Sequence, residues 1–121
     1  MGTIGDNIRQ ELLSWPGVAG EPHRFGGIEF RVHHREIGHL HGDRLADLPF
    51  PKRVRDELVA MKRALPHHVL PDTGWVSYDI SDAQDIPAVI ALFRLNYDRL
   101  ASIGGGRAEV NRGNEAERSE V

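Results

Sequence analysis

Hydrophobic residues near the start of the chain recur at the spacing of a helix. Four of them fall at intervals of four, four and three residues, which places them on one helical face. They are Ile4, Ile8, Leu12 and Trp15. Thr3 is a suitable N-cap for this helix, and Pro16-Gly17 is expected to end it. Trp15 then lies at the edge of the core, where we expect a structural role.

An alternating pattern follows and predicts strands. Ile28, Phe30 and Val32 alternate with polar residues and should face the core, and Gly26-Gly27 before them indicates a hairpin. Residues 36–41 are expected to form the next strand, and residues 45–50 a further extended segment beyond a turn at residues 42–43. Residues 75–80 also alternate. Val76, Tyr78 and Ile80 share one face, and Trp75, Ser77 and Asp79 share the other.

Two more helices are predicted from apolar stripes. Pro51 suits the first turn of one helix, whose buried stripe we expect to be Val54, Leu58, Met61 and Leu65, with Pro66 ending it. Ser81 with Gln84 resembles a capping box before the last helix. The apolar side of that helix carries Ile86, Val89, Ile90, Phe93, Tyr97 and Leu100.

The order of elements predicts an α+β domain. It is a helix, three or four strands, a helix, a strand and a helix, which favours an antiparallel sheet of about four to five strands with three helices packed on it. The domain should occupy residues 1–103. Residues 104–121 begin with three glycines and continue with charged and small residues, so we expect a disordered tail there.

Composition narrows the possible functions. The 121 residues suit one domain, and the absence of cysteine excludes disulfides, thiolate metal sites and cysteine nucleophiles. The net charge of −3 makes nucleic acid an unfavourable partner, because phosphate binding needs a surplus of lysine and arginine. Neither a signal peptide nor a run of apolar residues long enough for a membrane is visible, so a cytoplasmic location without membrane contact is expected.

His39 and His41 are two residues apart on a predicted strand, so their side chains point the same way. Two imidazoles with a third ligand are able to hold zinc or iron, and Glu36, His67 and His68 are conceivable third ligands. By strict alternation Glu36 points to the opposite face unless the strand bulges. Because paired histidines more often form hydrogen bonds, the pattern favours a site without metal or cofactor.

The surroundings of these histidines depend on which neighbour enters the core. Ile37 shares a face with both imidazoles under strict alternation, and a buried Ile37 would make them at least partly buried. A buried Leu40 would leave them in solvent. The sequence leaves both alternatives open.

Trp75 is predicted on the polar face of its strand, beside Ser77. A large aromatic ring on such a face needs a cover, which is either the connecting segment 67–71 or a ligand. Nucleophilic catalysis by a serine is not supported, because the sequence contains no Gly-x-Ser-x-Gly motif.

Two runs of the chain resemble a known family. They are Arg35-Glu36-Ile37-Gly38-His39-Leu40-His41-Gly42-Asp43 and Pro66-His67-His68-Val69-Leu70-Pro71-Asp72-Thr73-Gly74-Trp75. They resemble the bacterial "luciferase family protein" group, small domains without a defined activity, to which fungal luciferases of the hispidin type are distantly related. The resemblance covers about residues 15–100.

The fungal enzymes oxidise a hydroxypyrone with O₂ and need no metal or flavin, so this resemblance implies that a cofactor-free oxygenase is possible. The matching residues are Glu36, His39, His41, Gly74 and Trp75. The fungal pattern has further histidines in the next strand and just after Gly-Trp. Here those regions read Ala46-Asp47-Leu48 and Val76-Ser77-Tyr78.

The C-terminal half is also similar in plan to the MmcQ/YjbR group, which has a double-wing α+β fold. The counterparts are His67-His68, Trp75 and Asn96-Tyr97. Members of that group are often described as DNA-binding, which the acidic net charge of this chain disfavours.

We therefore favour a small-molecule or partner-binding module, with a small anionic or aromatic molecule as the expected ligand. Trp75 would be a stacking wall, and the polar contacts would come from Glu36, His39, His41, His67, His68 and Ser77. The alternative is a cofactor-free oxygenase in which His39 and His41 are catalytic, one of them removing a proton from an enol. A third, less favoured hypothesis is DNA binding. The oligomeric state is not predicted.

Overall fold

A computed structural model of the chain describes residues 2–23 and 26–106, with only the backbone described for residues 103–106. The elements are α1 (Ile4–Leu13), β1 (Ala19–Pro22), β2 (Ile28–Val32), β3 (Arg35–His41), β4 (Leu45–Pro49), α2 (Lys52–Ala60), β5 (Leu65–Pro66), β6 (Trp75–Asp79) and α3 (Ile86–Gly106). The strands pair antiparallel in one sheet of six, in the order β1-β2-β3-β4-β6-β5. This confirms the α+β class, with one strand more than the upper end of the prediction.

The first helix follows its sequence pattern. Thr3 forms a capping box with Asp6, in which each side chain accepts from the other residue's backbone N–H. Ile8 and Leu12 are fully buried, and the Trp15 ring lies 5.2 Å from the Tyr97 ring on α3. The structural role predicted for Trp15 is confirmed.

The second helix is shorter than predicted. It ends at Ala60, because Lys62 adopts a left-handed conformation (φ 61°) and Arg63 N–H donates to Leu58 O at 2.9 Å, which closes the helix. Met61 and Leu65 are therefore 64% and 54% exposed, and their predicted place in the buried stripe is wrong. Pro66 belongs to the short strand β5.

The cap of the last helix also differs from the prediction. Asp82, not Ser81, caps a 3₁₀ turn at Ala83–Asp85 that leads into α3. The Asp85 carboxylate accepts from Ser81 N at 2.7 Å and from the Tyr78 hydroxyl at 2.7 Å. The apolar side of α3 is buried as predicted at Val89, Phe93, Tyr97 and Leu100. The helix reaches Gly106, and residues 107–121 of the expected tail lie outside the described residues.

Strand β3 contains a bulge. Phe30 on β2 pairs with Gly38, whereas the next residue, Arg31, pairs with Glu36, so Ile37 is an extra residue on β3. The bulge interrupts the alternation of side chains. Ile37 and Leu40 are consequently both buried in the core, which the two sequence alternatives treated as exclusive.

Register across the sheet separates the two faces. Ile28, Leu40, Ala46 and Tyr78 lie opposite one another on the face that packs against the helices. On the other face, a row of four polar residues crosses four strands. We call Glu29, His39, Asp47 and Ser77 the polar row. Within the described part of the chain, no helix combines the length and apolar character needed to cross a bilayer.

Candidate functional site

Asp47 lies at the centre of the polar row and is only 1% exposed. Its Oδ1 accepts a hydrogen bond from the Ser77 hydroxyl at 2.6 Å. Its Oδ2 faces three imidazoles: His39 Nε2 and His41 Nε2 at 3.3 Å each, and His67 Nε2 at 3.6 Å. A buried carboxylate thus organises histidines from β3 and from the segment before β6.

His39 lies between two carboxylates. Its Nδ1 is 2.7 Å from Glu36 Oε2, while its Nε2 faces Asp47. Burial opposes a positive charge on His39, but the hydrogen bonds to Asp47 and Glu36 outweigh it and raise the pKa of His39 to about 9. The contact with Glu36 exists because the bulge turns both side chains to one face.

The carboxylate of Asp47 stays ionised at neutral pH. Burial would raise the pKa of Asp47, but hydrogen bonds from His39 and Ser77 outweigh that effect and lower the pKa to about 2. His41 behaves differently from His39, because burial and the positive charge of His39 lower the pKa of His41 against the attraction of Asp47. An imidazolium and a neutral imidazole therefore lie side by side, with ring centroids 4.8 Å apart.

The protonation of His67 is set by the backbone. Its Nδ1 accepts hydrogen bonds from the N–H groups of Val69 and Leu70, both at 3.1 Å. A neutral imidazole with an accepting Nδ1 carries its hydrogen on Nε2, so His67 presents an N–H to Asp47. Burial and the nearby histidines lower the pKa of His67, which keeps this neutral form.

The bulge that aims His39 is held from the core side. Asn96 on α3 is fully buried, and its Nδ2 donates to Ile37 O and to Pro49 O, both at 2.8 Å. A Cβ at Gly38 would lie 2.8 Å from Asp47 O and 2.8 Å from Phe93 Cε1. Only glycine permits this close approach, so the backbone under the site depends on α3.

A second glycine fixes the start of β6. Phe50 N–H donates to Gly74 O at 3.1 Å, and a Cβ at Gly74 would lie 1.7 Å from Phe50 O. The close contact of these two chain segments sets the position of Trp75. The indole lies 5.5 Å from the His39 ring and 5.9 Å from the His67 ring, centroid to centroid.

These side chains surround an open cleft of about 570 Å³, which is within the usual size range of small-molecule sites. Its walls combine imidazoles, carboxylates, an indole and two aliphatic side chains. They are His23, Glu36, His39, His41, Asp47, His67, His68, Val69, Leu70 and Trp75.

Six of the residues singled out from the sequence line this cleft. They are Glu36, His39, His41, His67, His68 and Trp75. Ser77 is buried behind Asp47 and does not line the cleft. The Trp75 ring is partly covered by His67, from the segment considered as its cover.

Two site residues were not singled out from the sequence. Asp47 carried a usable signal, since it is a carboxylate between Ala46 and Leu48, both of which face the core. His23 stacks on His39 with ring centroids 4.2 Å apart, and no local pattern indicated this. His23 follows β1, and the pairing of β1 with β2 and of β2 with β3 brings it close to His39.

Two overlapping groups in the cleft have the residue types and spacing of metal ligands. The first is His39, His41 and Asp47, and the second is Asp47, His67 and His68. In each group the ligand atoms lie within 4.8 Å of one another. The first group also offers a proton acceptor and the imidazolium of His39 to an organic ligand.

A comparison with protein families assigns most of the sheet to a known family. The family model described as "Luciferase domain" matches residues 34–96, just over half of the chain. That range holds β3, β4, β6 and every described site residue except His23. No curated protein and no solved structure matches the chain, so the similarity in plan to the MmcQ/YjbR group stays a prediction.

Proposed function

The chain belongs to the Luciferase domain family, and from that premise we propose that the cleft around Asp47 binds a small planar aromatic molecule that carries a hydroxyl group. The observation that supports this proposal is the convergence of one indole and several imidazoles on a single cleft of about 570 Å³. Sites of this kind are mostly apolar and hold a few polar groups that orient the ligand.

The charges of the cleft favour an aromatic ligand over a preformed anion. Glu36 and Asp47 are carboxylates, and His39 is the imidazolium between them. Two negative charges and one positive charge give these three side chains a net negative charge, so they would repel an anion. A neutral ligand with an O–H donor avoids this cost and finds an acceptor in the neutral imidazole of His41.

The aromatic part of the ligand would lie against Trp75. The half-buried indole stands at the edge of the cleft, and the exposed side chains of Val69 and Leu70 form an apolar lip nearby. Stacking on an indole is worth about 0.5–1.5 kcal/mol beyond the area that it buries. Trp75 would therefore contribute affinity, and the histidines would contribute orientation.

Calorimetric titration of the chelator-treated protein with a hydroxypyrone tests this function. We expect one binding event per chain that Trp75→Ala weakens by up to about ten-fold. Tyr78→Phe is the matched control, because Tyr78 is an aromatic residue on the other face of β6, and it should leave affinity unchanged. Equal affinity in the wild type and Trp75→Ala would refute the proposal.

A second function, cofactor-free oxygenation, is favoured by one observation. His41 is neutral, and its side chain is 31% exposed beside the imidazolium of His39. The two rings are 4.8 Å apart, centroid to centroid. His41 would remove a proton from an enol, and the His39 imidazolium would stabilise the resulting enolate, which would then react with O₂.

The two functions are separated by oxygen consumption. With a hydroxypyrone as substrate, oxygenation predicts O₂ uptake that His41→Gln abolishes, while calorimetric binding persists. Binding without O₂ uptake in the wild type would leave the binding function and exclude this substrate class for an oxygenase.

A further inference from the structure

The geometry points to a binding site for a first-row divalent cation such as Zn²⁺, with His39 Nε2, His41 Nε2 and Asp47 Oδ2 as its three protein ligands. This inference goes beyond the proposed organic ligand and does not depend on it. The sequence pattern by itself favours histidines without a metal, because paired histidines more often form hydrogen bonds, and the third ligands it suggests are Glu36, His67 and His68. In the structure the third ligand is Asp47 instead.

The distances between polar atoms around His39, His41 and Asp47 fall into two groups. His39 Nδ1 to Glu36 and Ser77 Oγ to Asp47 Oδ1 measure 2.7 Å and 2.6 Å, as expected for strong hydrogen bonds. The separations from Asp47 Oδ2 to the Nε2 atoms of His39 and His41 are both 3.3 Å, longer than the roughly 2.7–2.9 Å of a charge-assisted hydrogen bond. The inward-facing atoms are therefore spaced more widely than in a strong hydrogen bond.

Metal coordination accounts for this wider spacing. Two atoms that each lie about 2.0–2.1 Å from a tetrahedral metal are about 3.3–3.4 Å apart. The two 3.3 Å separations match that edge length. One ligand atom from each of the three residues also lies within 4.8 Å of the other two, which permits a common centre.

The outward-facing atoms are arranged as the supporting shell of a metal site. Ligating histidines usually donate their other ring N–H to a carboxylate, and ligating carboxylates are themselves hydrogen-bonded. Glu36 accepts from His39 Nδ1, and Ser77 donates to Asp47 Oδ1. Both bonds aim the inner atoms, Nε2 and Oδ2, at one point, and a cation bound there would displace the proton that the metal-free His39 imidazolium carries on Nε2.

His67 is excluded as a ligand by its own hydrogen bonds. To bind a metal through Nε2, a neutral His67 would have to carry its hydrogen on Nδ1, where that hydrogen would face the N–H groups of Val69 and Leu70 and both hydrogen bonds would be lost. His39 meets no such conflict, because its Nδ1 faces the acceptor Glu36. The conflict at His67 argues against the alternative group of Asp47, His67 and His68. The His67 Nε2–H instead lies 3.6 Å from Asp47 Oδ2, beside the proposed ligands.

The donor set decides the class of cation. Two imidazole nitrogens and one carboxylate suit Zn²⁺ or Fe²⁺, whereas Ca²⁺ and Mg²⁺ require oxygen ligands. Three protein ligands leave at least one position open. An open position is typical of reactive metal sites rather than closed structural ones.

Titration of the chelator-treated full chain with Zn²⁺, in competition with a chromophoric chelator, tests the site. We expect one Zn²⁺ per chain. Asp47→Asn and His41→Gln should each weaken binding by more than the about 10–100-fold that loss of a supporting residue causes, and Glu36→Gln should fall within that range. Asp79→Asn and His34→Asn are matched controls outside the cluster and should bind as the wild type does.

Co²⁺ provides a second readout that does not depend on affinity. The wild-type complex should show visible absorption of a low-coordinate site with nitrogen and oxygen ligands, and His41→Gln should change that spectrum. Because His41 is partly exposed, this variant should remain folded by circular dichroism even if Asp47→Asn does not.

Three outcomes would overturn the inference. They are the absence of stoichiometric Zn²⁺ binding, binding of equal strength in the folded His41→Gln variant, and binding that His68→Gln abolishes while His41→Gln does not. Zn²⁺ binding without hydroxypyrone binding would support this site and refute only the proposed organic ligand.

Discussion

The side-chain nitrogen of Asn96 lies 2.8 Å from the carbonyl oxygen of Ile37. Ile37 is the extra residue of the β3 bulge, so a fully buried amide on α3 holds the irregular backbone that turns Glu36 and His39 to the same face. The cleft lies on one side of the sheet, and the groups that fix its shape lie on the other. The first two predictions test this dependence.

Replacing Asn96 by Leu should destabilise the protein by about 2–4 kcal/mol. The substitution keeps the approximate volume but removes both donors, leaving Ile37 O and Pro49 O without this partner in the core. Urea unfolding measures the loss. Asp98→Asn on the exposed side of the same helix should change stability by less than about 0.5 kcal/mol, because its pair with Arg94 is at the surface. A loss equally small in Asn96→Leu would contradict the prediction.

Replacing Gly38 by Ala should cost about 1–3 kcal/mol and disturb the site, because the new methyl group would meet Asp47 O and Phe93 at 2.8 Å. Unfolding gives the cost, and chemical shifts of the Asp47 amide report the displacement. Gly20→Ala in β1 is the control, since its nearest neighbour would be 3.4 Å away. Wild-type stability in Gly38→Ala would show that the contact with α3 is not needed.

The imidazole of His67 should be the Nε2–H tautomer in the chelator-treated protein. The backbone N–H groups of Val69 and Leu70 both point at Nδ1, which therefore accepts. Two-bond proton–nitrogen correlation spectra of the histidine rings distinguish the tautomers. A hydrogen found on Nδ1 would contradict the assignment and would also reopen His67 as a metal ligand.

Stability in acid should depend on Asp85, away from the cleft. Hydrogen bonds from Ser81 N–H, Tyr78 O–H and Asp82 N–H lower the pKa of Asp85 below its ordinary value. A lowered folded-state pKa stabilises the protein above the unfolded value of about 3.9, and this contribution is lost as the pH falls through the folded value. Asp85→Asn should therefore be less stable at neutral pH and show a flatter decline in acid.

Urea midpoints measured at a series of pH values check this prediction. Asp79→Asn serves as the control, because Asp79 is an exposed carboxylate at the end of β6. Parallel curves for Asp85→Asn and the wild type would contradict it.

The sequence predicted the parts of the fold that depend on local periodicity. The stripe of α1, the alternation of β2 and β6 and the apolar side of α3 are all confirmed, because one buried face suffices to specify each. The end of α2 was misplaced, since an apolar spacing that continues to Leu65 does not reveal the left-handed turn at Lys62. A two-residue strand such as β5 has too little sequence for any pattern.

The site was predicted only in part, because its central contacts are set by register. His39, Asp47 and Ser77 lie side by side only because three strands pair as they do. The bulge depends on Asn96 and Phe93, more than fifty positions further along the chain. Trp75 and the histidines other than His23 stood out as unusual residues, whereas Asp47, the carboxylate that they surround, was overlooked although it lies between two apolar residues of its strand.

The central claim is that β3 and β4 bring His39, His41 and Asp47 to one point on the open face of the sheet. The most direct measurement is a crystal structure of the protein soaked with Zn²⁺, with data collected at the zinc absorption edge. We predict one strong anomalous peak about 2.0–2.1 Å from His39 Nε2, His41 Nε2 and Asp47 Oδ2. A map without a peak there, or with these three side chains turned to separate surfaces, would contradict the account.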